Sequence, residues 1–173
     1  MEMTTPNVHG LALTDAGVIH LHRDRVRLRG VCVAGVNVGA IVDIVLDSER
    51  RRVAGFAVRL TGGEARFVPL GAVAALGPCG IELESTLHLV ETIAFYAASG
   101  ARLSALLGAT VSCRHSAPVA ITDVVADLAN GEIVAVELAD GRTLVRESLA
   151  EVSGGFRVAC TCAERDPARR LIA

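Results

Sequence analysis

The sequence predicts a mainly β chain: two small antiparallel β-barrels in tandem, joined by an apolar α-helix. Three observations lead there. Short apolar runs with period-two alternation follow one another at roughly ten-residue spacing from Leu28 to Leu83. The same order of runs returns later, with Asp123-Val124-Val125-Ala126-Asp127 repeating Asp43-Ile44-Val45-Leu46-Asp47. Between the two copies, Thr86 to Ser99 spaces its apolar residues at helical period.

The elements follow in order. From Val38 to Asp47, strict alternation puts Val38, Val42, Ile44 and Leu46 on one face and Asp43 and Asp47 on the other. Ser48 to Arg52 is polar and reads as a turn. Val53 to Leu60 then alternates, with Ala54, Phe56, Val58 and Leu60 inward. Gly62-Gly63 supplies the next hairpin, since glycine takes the positive φ of tight turns without a Cβ clash. Arg66-Phe67-Val68 is a short strand stopped by Pro69, and Gly80 to Leu83 closes the set. In the second copy Val53 to Val58 lies over Ile133 to Leu138, and Asn130-Gly131 and Asp140-Gly141 are strong hairpin-turn dipeptides. Ser85 or Thr86 caps the connecting helix and Gly100 ends it. Its stripes, one with Leu87, Val90 and Phe95 and the other with Leu89 and Ile93, leave too little polar surface for a free helix. The expected organisation is a leader with an edge strand over 1–27, repeats over 28–85 and 102–160, the helix over 86–101 and a flexible tail over 161–173.

Composition narrows the class. Apolar residues make up 51% of the 173, which raises the membrane question. The longest uncharged stretches, Val31 to Val42 and Leu103 to Cys113, are shorter than the ~18–20 residues of a spanning helix, so no membrane insertion is expected. The first residues, Met-Glu-Met-Thr-Thr-Pro, lack the basic and apolar regions of a signal peptide, which gives the expectation of a cytoplasmic chain. Every basic residue is arginine, the footprint of a GC-rich genome, and the net charge of −2 argues against a strongly basic nucleic-acid binder. The five cysteines form no even framework and read mostly as small buried hydrophobes.

The run Val38-Gly39, Asp43-Ile44, Asp47, then Val53, Gly55 and Val58, then Phe67-Val68-Pro69-Leu70 resembles the PRC-barrel domain family. The likeness covers Leu28 to Glu84 well and Leu103 to Ala159 more weakly. The second copy departs from the pattern, with Val119 in the place of Gly39, Ala135 in that of Gly55 and Arg146 near that of Pro69. The resemblance implies a non-enzymatic scaffold that docks onto protein or ribonucleoprotein, without cofactor.

The residues agree with that expectation. There is no nucleophile elbow, phosphate-cradling loop with Lys, or HExxH. Asp43 with Asp47, and Asp123 with Asp127, are too far apart along a strand for one acid–base pair, ~13 Å at strand rise, and are expected to take turn hydrogen bonds or to solvate an outer face. No catalytic residue is therefore assigned. Candidate protein-docking residues are outward Arg59 and Arg66, the Arg50-Arg51-Arg52 turn, and the Ile93 and Phe95 helix face, the last also suited to a homodimer. The alternative is an RNA- or ribosome-associated factor using Arg23, Arg25, Arg27 and Arg29, whose alternation would place four guanidiniums on one strand face. The pairs His20-Leu21-His22 and Cys160-Thr161-Cys162 have the donors of a zinc site, but nothing in the sequence brings them together, and no metal is assigned.

Overall fold

The computed structural model describes residues 11–12, 17–47, 49–91, 100–111, 117–145, 149–152 and 155–158. Its strands are β1 (Leu11–Ala12), β2 (Val18–His20), β3 (Gly30–Val33), β4 (Val36–Asp47), β5 (Arg52–Leu60), β6 (Ala65–Pro69), β7 (Val73–Gly77) and β8 (Gly80–Leu83). After these come β9 (Gly100–Arg102), a four-residue helix α1 (Leu103–Leu106), β10 (Thr110–Val111), β11 (Val119–Asp127), β12 (Glu132–Leu138), β13 (Thr143–Val145), β14 (Leu149–Val152) and β15 (Gly155–Val158).

Two antiparallel hairpins, β4–β5 and β11–β12, share one backbone plan. Leu46 faces Val53 as Ala126 faces Ile133, and Asp47 faces Arg52 as Asp127 faces Glu132. Both first strands slip register at the same two places, between Ile41 and Asp43 or Ile121 and Asp123, and between Val45 and Leu46 or Val125 and Ala126. Each slip is a β-bulge, which puts an extra residue on one strand and reverses which face the following side chains meet. Val42 is therefore 41% exposed, whereas Asp43 (7%) and Asp123 (2%) are buried. Strict alternation had assigned these residues to the opposite faces.

The expected pair of barrels joined by a helix is not what forms. Thirteen strands belong to one sheet that does not close, its main path running β1-β7-β8-β3-β4-β5-β12-β11-β10, while β14 and β15 pair only with each other. Three contacts make the halves continuous. The hairpin starts join, Val53 N–H donating to the Gly131 carbonyl (2.7 Å) and Ile133 N–H to that of Arg51 (3.0 Å). The segment leading the first half, β2, pairs with β11, and the segment leading the second half, β9, pairs with β4. One hydrophobic cluster consequently runs through both halves, including Ile44, Phe56 and Ile81 from the first and Val124, Ile133 and Val136 from the second.

The expected helix does not start at Thr86. Thr86–His88 is a single 3-10 turn capped by the Ser85 side chain, and Leu89 is extended. Val90 then exchanges both backbone hydrogen bonds with Phe67 of β6 (2.8 and 2.9 Å), and Leu87 is 89% exposed. Covering the open edge of β6 competes with helix nucleation, and the edge takes Val90. The remainder of the expected helix, with Ile93 and Phe95, lies outside the described residues, among which α1 is the one α-helix. No helix among them is long and apolar enough to cross a membrane.

A buried carboxylate is costly unless donors surround it. Asp123 accepts from the backbone N–H groups of His22 (2.8 Å), Arg23 (3.0 Å) and Val124 (2.8 Å). Asp43 accepts from Ile44 N–H (2.9 Å), Ser104 N–H (3.2 Å) and the Ser104 hydroxyl. Each acid thus holds the segment that leads the other half. Asp123→Ala leaves three backbone donors without an acceptor and is expected to cost about 3 kcal/mol or more. Asp123→Asn, which keeps one oxygen, is expected to cost about half of that. Urea unfolding checks both values, and hydrogen exchange at residues 18–24 should accelerate first.

Candidate functional site

Two arginines, Arg29 and Arg59, line a cleft at the first bulge of β4, and a third, Arg25, bonds to the bulge itself. Arg29 ends the 3-10 turn Arg25–Leu28, and its carbonyl accepts from Ile41 N–H (2.8 Å). Arg59 lies opposite Ala40 in the β4–β5 ladder and opposite Ala65 in the β5–β6 ladder. The Arg25 guanidinium donates to the carbonyl of Val42, the extra residue of the bulge, at 2.8 Å. Arg29 and Arg59 line a cleft of about 480 Å³ whose other walls include Asn37, Val42, Leu60, Thr61 and Cys79, with no carboxylate among its lining residues. Among the described residues neither the Arg29 nor the Arg59 guanidinium is engaged by an acid, and both side chains are exposed.

The second half is an internal control. Ile121 N–H donates to Ala109 as Ile41 N–H does to Arg29, and Ala139 stands eighty residues after Arg59. The same backbone positions therefore carry alanine at both places. The fold does not require arginine there.

The other candidate residues are placed differently. Arg25–Leu28 is a 3-10 turn, so Arg23, Arg25, Arg27 and Arg29 do not share a strand face. Leu28 is fully buried, and burying it turns the chain out of an extended path. Arg23 pairs with Glu137 at 2.7 Å; the side chain of Arg27 is outside the described set. Arg66 is half-buried between Glu64 (3.0 Å) and Glu91 (3.6 Å). Arg50 and Arg52 border a second cleft, of about 520 Å³, where the hairpin starts meet. There Arg50 lies 3.9 Å from Asp47, and Arg52 donates to the Asn130 carbonyl at 2.6 Å. Arg51 has φ +52°, the conformation that Gly131 takes in the other half at +76°.

Metal-ligand chemistry also regroups. His22 does not join His20 in a site: its backbone serves Asp123, and Cys160 and Cys162 lie outside the described residues. His20 Nδ1 instead sits 3.4 Å from Glu137 and 3.9 Å from Asp123. Of the two acids, Glu137 also accepts from Arg23 and Asp123 from three N–H groups, while His20 Nδ1 is buried without a hydrogen-bond partner among the described residues. Cys32, fully buried in β3, is bonded to half-buried Cys79 in the β7–β8 turn, with Cα atoms 6.6 Å apart. Sequence reading missed this pair because odd cysteine counting gives no partner. It also missed Asn37 and Thr61, whose only signal is their position beside turns.

No family model and no curated protein matches the chain, so its likeness to PRC-barrel domains rests on the residues quoted above. At Arg51, a left-handed backbone costs a residue with Cβ about 1 kcal/mol relative to glycine. Arg51→Gly relieves that backbone strain but also removes the side chain of a residue with a partner of its own. The gain in urea unfolding is therefore expected to be less than about 1 kcal/mol, with any ligand binding at the Arg29–Arg59 cleft unchanged.

Proposed function

We propose that this chain is a non-enzymatic docking module whose Arg29–Arg59 cleft receives an acidic segment of a partner protein. The observation that carries the reading is the pair of unengaged guanidiniums at positions where an equivalent backbone, eighty residues on, makes do with alanine. Arginine presents a planar fork of donors that fits a carboxylate in bidentate fashion. Beside them Val42 and Leu60 offer apolar contact, and Asn37 and Thr61 add polar groups, the mixture that a peptide segment meets. The PRC-barrel likeness implies the same kind of role.

An RNA partner is the other reading of an arginine cluster. It is less favoured because no aromatic side chain lines the cleft to stack a base, and because Arg23 is committed to Glu137. Asp43 and Asp123 each accept three hydrogen bonds from the chain itself, which supports a structural role for them.

Fluorescence anisotropy with a labelled acidic peptide containing leucine, set against single-stranded RNA of equal charge, tests the reading. The peptide is expected to bind and the double variant Arg29→Ala/Arg59→Ala to weaken it roughly tenfold, about 1.4 kcal/mol. Arg50→Ala should leave it unchanged. Stronger, steeply salt-dependent RNA binding abolished by the same double variant would transfer the cleft to nucleic acid.

A further inference from the structure

The Arg29–Arg59 cleft has a covalent component in its wall. Cys79 lines it, as does Gly30, and Cys79 is bonded to Cys32 two residues beyond Gly30 in β3. The contact between these two pieces of chain is already tight: a Cβ on Gly30 would collide with the Cys79 carbonyl oxygen. Arg29 is joined directly to this junction, so its emergence into the cleft depends on how β3 seats against the Cys79 turn.

Two features distinguish this bond from an inert staple. Its two cysteines differ in burial: Cys32 is fully buried, whereas Cys79 is half-buried and is one of the residues lining the cleft. In addition, Glu82 Oε1 lies 3.4 Å from Cys79 Sγ. A disulfide sulfur has no proton to offer a carboxylate, but a thiol does. The site therefore already contains an acceptor for the reduced form.

We propose that Cys32 and Cys79 form a reversible dithiol–disulfide pair that controls the cleft, the disulfide holding it in the binding-competent shape. The inference rests on the docking reading of that cleft. The reaction is exchange with a low-molecular-weight disulfide, RSSR. The Cys79 thiolate attacks one sulfur of RSSR, breaking its S–S bond, releasing one RS⁻ and leaving Cys79 in a mixed disulfide. The Cys32 thiolate then attacks Cys79 Sγ, forming the internal bond and expelling the second RS⁻. The protein loses two electrons, RSSR gains them, and the two cysteine protons end on two molecules of RSH. In reverse, RS⁻ enters at Cys79, the less buried of the two cysteines.

The full chain is equilibrated across a series of reduced-to-oxidised glutathione ratios, quenched with acid and alkylated. Peptide mass mapping then reads Cys32 and Cys79 separately from the other three cysteines. Affinity for the labelled acidic peptide is measured at each ratio. Cys32 and Cys79 are expected to gain and lose protection from alkylation together. The oxidised form should bind the peptide roughly fivefold more tightly than the reduced form, through preorganisation of the cleft. Cys79→Ser should bind like the reduced form at every ratio; if that variant does not fold, the wild-type comparison decides alone. Equal affinity in both redox forms overturns the control and leaves the docking reading standing. Peptide binding in neither form overturns both. Full alkylation of Cys79 at every ratio overturns the pair itself.

Discussion

The fold depends on two carboxylates that are buried and belong to the wrong neighbours. Asp43 sits in the first half and holds Ser104, which leads the second; Asp123 sits in the second and holds His22 and Arg23, which lead the first. Removing an ionised group from water costs several kcal/mol, and only a complete set of donors offsets it. Neither half can complete that set from its own chain order, because the donors come from the segment that leads the other half. This is why two independent barrels are not formed: closing either one would require an acid to give up the donors that make its burial tolerable. The joined hairpin starts, Val53 to Gly131 and Ile133 to Arg51, extend the same near-twofold relation to the backbone.

That relation makes the differences between the halves informative. Core positions keep their character across it: Ile44 and Val124, Phe56 and Val136, and Val58 and Leu138 are all buried. Surface positions diverge. Arg29 and Arg59 have alanine counterparts, while Glu137, which receives Arg23, faces Asp123 where Ala57 faces Asp43. The second half thus places polar side chains in the His20–Asp123–Glu137 cluster. The first half leaves two guanidiniums facing solvent. An exposed arginine contributes little to folding, so the asymmetry is not a requirement of the fold.

Much of this was legible in the sequence, and the boundary between legible and hidden is physical. The strands around Phe56 and Ile133 were visible because alternation, turn residues and recurrence all report on local backbone. The bulges after Ile41 and Ile121 were not, because a bulge is defined by the partner strand, and missing one residue inverted the faces of Val42 and Asp43. The stretch from Thr86 read as a helix because its apolar spacing suits one. Local periodicity cannot weigh that helix against the unpaired N–H and C=O of Phe67 on a sheet edge, which Val90 satisfies instead. The alternating arginines from Arg23 to Arg29 imitate a strand, yet the fully buried Leu28 fixes the local turn. Of the site, Arg59 was legible as an outward strand residue. Its meeting with Arg29 depends on pairings on both sides of β4 that no local pattern contains.

The same logic bears on what the molecule does. An acid that works in catalysis must be able to exchange a proton, and so must keep a lone pair open to a reacting group. Asp43 and Asp123, the buried carboxylates among the described residues, each accept three hydrogen bonds from N–H and O–H groups of the chain, and Glu137 accepts one from Arg23. Arg66, Arg50 and Arg52 have surface partners in Glu64, Asp47 and the Asn130 carbonyl. Polar groups that satisfy one another stabilise a fold and leave nothing for a ligand. The Arg29–Arg59 cleft presents two exposed guanidiniums, one at the end of a 3-10 turn and one on β5, beside apolar Val42 and Leu60.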